Sequence, residues 1–432
     1  MSAATGTDEP ALEVFPPRTR RDPDGVLVVG GCRLDDLAAA YGTPALLVDE
    51  AHVRATVRRC RAALAAAWPD AQVTYASKAF PATAMYRLMA QEDIWVDVAG
   101  LGELEVALGA GVDPATILVH GNAKGDDLIG RALEAGVAYV VIDNLDDVDR
   151  LEGRATREQR VLVRLNPDVA PQTHDAMSTG GQRSKFGLPA GLAREVIARV
   201  RAANLLTLAG VHVHIGSQIH HIAPFAESVR ALRALVEELG IADVAVYDLG
   251  GGLGVPHLRG ERVPSLEEYV GTLAAAAREH LPPAARILIE PGRALVATAG
   301  VSLYRVVTVK RAAATFVAVD GGMGDNLEVS LYGQPFEAVI AAPRTAEPRA
   351  PERCDVVGQH CESGDRLVAG VELPAPAVGD LLAVPVTGAY THPLSNNYNG
   401  ALRPPVVFVG GGEHRAVIRR ETLADLVRRD VA

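Results

Sequence analysis

Lys78 closes the run Val73-Thr74-Tyr75-Ala76-Ser77, and far downstream a glutamate stands in Ile287-Leu288-Ile289-Glu290-Pro291-Gly292-Arg293. An ε-amine can hold an aldehyde as a Schiff base, and a carboxylate can keep a pyridine nitrogen protonated. Between the two lie His212 and His214, the latter leading into Ile215-Gly216-Ser217-Gln218, and then the run Gly250-Gly251-Gly252-Leu253-Gly254. Glycine lacks a β-carbon and lets backbone amides approach a phosphate closely, so Gly250, Gly251, Gly252, Ser217, Gly292 and Arg293 are candidate phosphate holders. Amine, carboxylate and cradle together describe a pyridoxal 5'-phosphate site distributed along most of the chain. A solvated surface lysine is the plain alternative for Lys78, but a lysine that ends an apolar strand is not placed like one.

These side chains need a frame. From Ala45 onward short β-branched runs alternate with segments of helical character at Leu101–Ala110, Asp126–Ala135, Leu192–Ala202 and Phe225–Leu239. Such alternation signals βα units and a parallel sheet. After a leading segment at Leu46–Asp49, the runs Val73–Ser77, Ile94–Ala99, Ile117–His120, Tyr139–Asp143, Val161–Asn166, Gly210–His214, Val244–Leu249 and Ile287–Glu290 make eight strands, the number that closes a (β/α)8 barrel. In such a barrel, chemistry gathers at the carboxyl ends of the strands. Lys78, Asp97, His120, Asp143, Asn166, His214, Gly250–Gly252 and Glu290 all fall at or just past those ends. For Asp143, Asn166 and His120 the polarity of any strand-to-loop junction explains the placement equally well.

Beyond Arg293 the texture changes. Val301–Thr308, Thr315–Asp320, Arg353–Gly358, Asp380–Val386 and Pro405–Val409 are strand runs separated by Pro/Gly turns, which predicts a second, all-β domain. Val26–Val29 is a further strand that can join it, so the expected division is a barrel over 45–305 inserted into a β-domain of 1–44 and 306–432. Ala341–Pro351 reads as a flexible loop.

With 432 residues and 48% apolar content the chain has material for two cores. Its formal charge of -11 repels nucleic acid and anionic membrane and leaves a small molecule as the expected partner. Met1–Pro10 has neither a basic segment nor an apolar one, and no apolar stretch is long enough to span a bilayer, so a cytoplasmic location is expected. Cys32, Cys60, Cys354 and Cys361 show no paired metal-ligand spacing and read as thiols; no metal site is expected.

The motifs run in a family order. Tyr75-Ala76-Ser77-Lys78-Ala79, His120-Gly121-Asn122-Ala123-Lys124, Asp143-Asn144, Ser178-Thr179-Gly180 with Lys185-Phe186-Gly187, His212–Gln218, Gly250–Gly254, Glu290–Arg293, Cys361-Glu362-Ser363-Gly364-Asp365, Gly388-Ala389-Tyr390 and Tyr398-Asn399-Gly400 span nearly the whole chain. In this the chain resembles the fold-type III pyridoxal phosphate decarboxylases, and within them the diaminopimelate decarboxylase family. The resemblance implies a barrel and β-domain of the alanine racemase/ornithine decarboxylase type, with Lys78 carrying the cofactor and Glu290 paired with its ring nitrogen. It further implies that His214 stacks on the ring and that Tyr390 adds a hydroxyl to the phosphate. Cys361 would be a catalytic thiol that returns a proton after carbon dioxide leaves, reaching the site from the other subunit of a homodimer, with Asp365 supporting the loop. Related racemases set an arginine against the ring nitrogen; a glutamate there speaks for decarboxylation. His212 is expected to be a buried structural histidine, and Cys32, Cys60 and Cys354 buried apolar side chains.

One segment departs from the family. Diaminopimelate decarboxylases follow Asp-Gly-Gly-Met with an Arg-Pro pair shortly before Leu-Tyr-Gly, and the arginine holds the distal carboxylate of the substrate. Here Asp320-Gly321-Gly322-Met323 leads to Leu327-Glu328-Val329-Ser330-Leu331-Tyr332-Gly333, with Glu328 in the arginine's place. A carboxylate facing a carboxylate tail repels it. The sequence therefore points to a tail that is cationic, as in lysine, ornithine or arginine, or masked, as in an aminoacyl group on a carrier protein. Arg293, Glu328, Tyr332, Glu362 and Tyr390 are the candidate substrate contacts. The alternative is the family's own reaction, meso-diaminopimelate to L-lysine, with Arg293 or Arg183 taking over the distal carboxylate. A racemase would need a second base beside Cys361, and a non-catalytic homologue would be expected to lose Lys78 or Cys361.

Overall fold

The computed structural model describes residues 10–169, 171, 179–181, 184–345 and 347–431. Arg183 and Ser178 lie outside the described residues. The chain divides into two units: one holds Thr56–Val255 and Val263–Leu295, the other holds the chain up to Ala55, Pro256–Arg262 and Val296 onward.

The first unit is a closed parallel barrel. Its strands are β1 (Ala71–Ala76), β2 (Trp95–Val98), β3 (Ile117–Val119), β4 (Tyr139–Ile142), β5 (Gln159–Arg164), β6 (Leu206–His212), β7 (Val246–Asp248) and β8 (Arg286–Ile289). Each pairs with its neighbour in chain order, and Ile287 opposite Ala71 closes the ring. Leu118, Tyr139, Val141, Leu162, Val246 and Leu288 meet in one buried cluster, so the barrel is a packed core and its chemistry is confined to its rim.

The helices between strands form for local reasons. Leu266–His280 starts at Ser265, whose hydroxyl accepts from Glu268 N–H while the Glu268 carboxylate accepts from Ser265 N–H, a reciprocal cap of about 1 kcal/mol. Leu266, Tyr269, Val270, Leu273, Ala274 and Ala277 recur at helical spacing and are the buried face. Extended backbone at Leu281, followed by Pro282, ends it.

A buried ion pair ties the loops after β3 and β4. Lys124 Nζ lies 2.7 Å from Asp147 Oδ2, with both side chains wholly buried. Asp147 Oδ2 also accepts from Asp143 N–H at 3.0 Å, and Asn144 caps the helix Leu145–Arg154 by accepting from Asp147 N–H at 2.9 Å.

The second unit is built on a mixed sheet. Its long strand Gly300–Arg311 pairs antiparallel with Ala45–Asp49, Thr315–Val319 and Leu381–Pro385. Ala45–Asp49 also pairs in parallel with Val406–Gly410, which turns back into Glu413–Ile418. Thr315–Val319 continues to Pro351–Val357 and Arg366–Pro374. Two apolar clusters fill the unit, one around Leu47, Val301, Leu303 and Val407, the other around Val306, Val317, Val356 and Leu382.

Three expectations change here. Ala45–Asp49 belongs to this sheet and not to a barrel starting at residue 45, because all five residues are buried and such a strand needs a neighbour on either side. The residues 296–305 fall in this unit as well. Leu27–Val29 joins the core of the unit but not its large sheet, pairing instead with Arg20–Arg21 and Cys32–Arg33. The stretch expected as a loop at 341–351 begins and ends inside strands, Val339–Ala342 and Pro351–Val357. Among the described residues no helix is long and apolar enough to cross a membrane.

Candidate active site

The rim of the barrel collects the titratable groups. Lys78 follows β1 directly, in the short helical turn Ser77–Ala79, exposed between two buried neighbours. The turn is fastened to β2, since Ser77 N–H donates to Asp97 Oδ1 at 3.0 Å. Burial and the nearby Glu290 charge push the Asp97 carboxyl up to about 7, against the pull of His120 and Lys78.

Glu290 follows β8. Its Oε1 lies 2.7 Å from His120 Nε2, at the end of β3, and its Oε2 lies 3.1 Å from His212 Nε2, the last residue of β6. Burial opposes the Glu290 charge, yet the two imidazoles outweigh it and hold the carboxyl well below the usual range. Asp248, the last residue of β7, goes the other way: burial, then the Glu290 charge beside it, raises it well above the usual range against the Gly250 N–H it accepts at 3.0 Å. Burial brings His212 down to about 4, despite Glu290, so the ring is neutral at pH 7. His120, His212, Asp248 and Glu290 offer ligand atoms within 4.8 Å of one another, but the contacts at 2.7 and 3.1 Å are hydrogen-bond distances.

His214 is fixed by its surroundings. Its Nδ1 accepts from Gly251 N–H at 3.1 Å, and its carbonyl accepts from Thr179 Oγ1 at 3.0 Å. Burial, then Lys78 and Arg164, hold the ring well below its ordinary pKa and hence neutral.

The glycines have a second reason to be glycine. A β-carbon at Gly251 would sit 2.0 Å from Glu290 O, and one at Gly250, where φ is +66°, 2.3 Å from Val213 O. At Gly292 it would meet Ala76 Cβ at 2.8 Å. The loops after β6, β7, β8 and β1 therefore pack backbone against backbone, which sets Glu290 and Lys78 in place. Ser217 is half-buried and Arg293 buried, both on this rim.

The remaining candidate site residues, Cys361, Glu362, Glu328, Tyr332 and Tyr390, lie in the second unit. Cys361 and Glu362 are exposed, whereas Cys32, Cys60 and Cys354 are buried. Asp365 staples the Cys361 loop: its carboxylate accepts from Met323 N–H at 2.7 Å and from His360 N–H at 2.8 Å. Cys361 N–H donates to Asn399 Oδ1 at 3.0 Å, and Tyr398 Oη–H donates to Glu362 Oε1 at 3.2 Å. Three of the sequence motifs, Asp320–Asn326, Cys361–Asp365 and Tyr398–Gly400, thus form one assembly. Tyr332 and Tyr390 are half-buried, the latter at φ +60° before the short helix Thr391–Leu394. Glu328 opens the helix Glu328–Tyr332 and is buried, 1% exposed.

Sequence reasoning undervalued His120 and His212, and did not single out Asp248 or Arg164. The signal was present, because each ends a barrel strand or follows one; what the sequence does not show is that the ends of β3, β6, β7 and β8 converge on one carboxylate.

An open amine, a buried carboxylate kept anionic by two imidazoles, and a glycine-lined rim are the donor set a pyridoxal phosphate requires, and the residues fit it. A parallel barrel carrying that set, joined in sequence to a β-rich unit, defines the fold-type III pyridoxal phosphate enzymes. The chain belongs to the pyridoxal-dependent decarboxylases: residues 50–297 match the pyridoxal binding domain of that family. It is 44% identical to the diaminopimelate decarboxylase of Actinosynnema pretiosum subsp. auranticum over 98% of this chain and 97% of that one. It is 39% identical to that of Mycobacterium bovis over 98% of each chain. The crystal structure of diaminopimelate decarboxylase from M. jannaschii in complex with L-lysine superposes with a TM-score of 0.90 at 30% identity, covering 97% of this chain and 99% of that one. The protein is a pyridoxal phosphate-dependent carboxy-lyase of the diaminopimelate decarboxylase type. The altered substrate tail expected from Glu328 gains no support from these relatives.

Proposed function

We propose that the protein decarboxylates meso-diaminopimelate to L-lysine. The observation that carries the reading is full-length resemblance, over both units, to enzymes named for that substrate, joined to a rim that retains Lys78, Glu290 and the glycines. Bound pyridoxal phosphate supplies the aldehyde that takes up the substrate amine and the ring that accepts the electrons left when carbon dioxide departs. Lys78, exposed at the rim, is the amine that would hold the cofactor through its aldehyde. Glu290, held as an anion, is the carboxylate that would keep a proton on the ring nitrogen. His214, neutral and braced by Gly251, would pack against the ring face. Backbone of Gly250–Gly252 and Gly292, with Ser217, Arg293 and Tyr390, receives the phosphate. Cys361 Sγ–H delivers the proton that replaces the lost carboxylate at Cα, working in a homodimer whose sites are shared. Arg293, Tyr332, Glu362 and Tyr390 are the proposed substrate contacts.

Two measurements test this. Borohydride reduction of the holoprotein fixes the cofactor to the peptide containing Lys78; label on another lysine removes the assignment. In a carbon dioxide release assay, kcat/KM for meso-diaminopimelate exceeds that for lysine and ornithine by at least about a hundredfold, because a site that pairs a second carboxylate rejects substrates lacking it. Glu328→Gln leaves that ratio within about threefold, because the buried Glu328 side chain is not among the proposed substrate contacts. A wild type that prefers lysine or ornithine, or a Glu328→Arg protein that gains tenfold or more toward the dicarboxylate, would restore the cationic-tail reading.

A further inference from the structure

We propose that His212 and His120 are positioning residues that orient Glu290 and fix it as an anion toward the cofactor ring nitrogen. The inference rests on Glu290 being that nitrogen's partner.

Each Glu290 oxygen has its own imidazole: His120 Nε2 at 2.7 Å from Oε1, His212 Nε2 at 3.1 Å from Oε2. The two rings meet edge to face, 4.8 Å between centroids and 68° between planes, so neither can swing without displacing the other. His212 is 1% exposed, and its Nδ1 finds no hydrogen-bond partner among the described residues. A second proton there would be a buried N–H without an acceptor, which costs more than the ring gains from a charge. His212 is therefore a neutral, single-proton donor, and that proton faces Glu290.

Two carboxyls share this space. Asp248 and Glu290 are both buried and adjacent, and two like charges so placed do not both survive. The imidazole hydrogen bond from His212 goes to Glu290, with the His120 ring close against the other oxygen, so the proton resides on Asp248 and the charge on Glu290. Asp97, Arg164, His214 and Tyr269 also face this group electrostatically. A carboxylate that only accepts can hold a proton on the ring nitrogen; one that has taken the Asp248 proton cannot.

The test compares His212→Leu, His212→Gln and Glu290→Gln in the full-length holoenzyme by three readouts: the pH titration of the bound cofactor's absorbance, kcat and KM taken separately, and Tm. In His212→Leu the ring nitrogen loses its proton more readily, so the absorbance transition moves to lower pH by about one unit, with kcat down about tenfold and KM within about threefold, the value of one hydrogen bond to a charged group. His212→Gln presents an amide N–H at the same reach and returns both values most of the way. A His212→Leu enzyme with wild-type titration and kcat but a lower Tm would show an ordinary core histidine and overturn the proposal. Glu290→Gln separates the two layers: if it leaves the titration and kcat unmoved, Glu290 is not the nitrogen's partner and the underlying reading fails first. Should His212→Leu not fold, 15N spectra of histidine-labelled wild-type protein decide, with His212 expected neutral and protonated at Nε2 at pH 7; an Nδ1–H or doubly protonated ring rules the proposal out.

Discussion

Protein carrying Cys361→Ala, mixed with protein carrying Lys78→Ala, regains about a quarter of wild-type turnover, although neither is active alone. In the proposed homodimer with shared sites, random subunit exchange makes half of all dimers hybrids, and each hybrid holds one site with both residues intact and one with neither. Lys78 lies in the barrel unit and Cys361 in the other, on an exposed loop stapled by Asp365 and Asn399. A loop so well fastened, yet presenting its cysteine outward, suits a thiol offered to a neighbouring subunit. Cys361→Ala alone retains bound cofactor, because the role proposed for the thiol comes only after carbon dioxide has gone. Mixtures that exchange subunits, as seen by mass spectrometry, yet stay inactive would place both residues in one protomer's site.

Lys124→Met destabilises the barrel by about 3–5 kcal/mol, because it leaves Asp147 as a buried charge with its cation removed. Asp147 keeps its bond from Asp143 N–H but loses the ion pair, and neither side chain has access to water. The double variant Lys124→Met/Asp147→Leu recovers most of the loss, since replacing both partners removes the uncompensated charge. Trp68 and Trp95 are the chain's two tryptophans and both belong to the barrel unit, so urea unfolding followed by tryptophan fluorescence reports on the barrel alone. A single variant with an unchanged midpoint would mean that the pair contributes nothing.

The barrel was legible because its period is simple. Buried parallel strands are short apolar runs, their helices are amphipathic, and all eight strands fall within a few residues of their expected places. Lys78 and Glu290 were legible because a charged residue ending such a run has few other uses. Ala45–Asp49 was misassigned because a fully buried strand looks the same in either unit, and only its partners, Gly300–Arg311 and Val406–Gly410, distinguish them. His212 is buried as expected; what the sequence does not show is the carboxylate 78 positions away that its ring meets. Glu328 was read by charge alone; its burial is a tertiary fact.

The pairing of Ala45–Asp49 has a consequence for synthesis. Leu46 meets Ser302 on one side and Val406 on the other, so this strand waits about 250 residues for its first neighbour and about 360 for its second as the chain leaves the ribosome. The barrel, whose strands pair in order between Ala71 and Ile289, has its last strand about a dozen residues before Gly300 and more than about a hundred before Val406. A nascent chain therefore holds every barrel strand while Ala45–Asp49 is still an apolar ribbon with one edge unpaired, and through that interval it depends on the quality-control machinery of the cell.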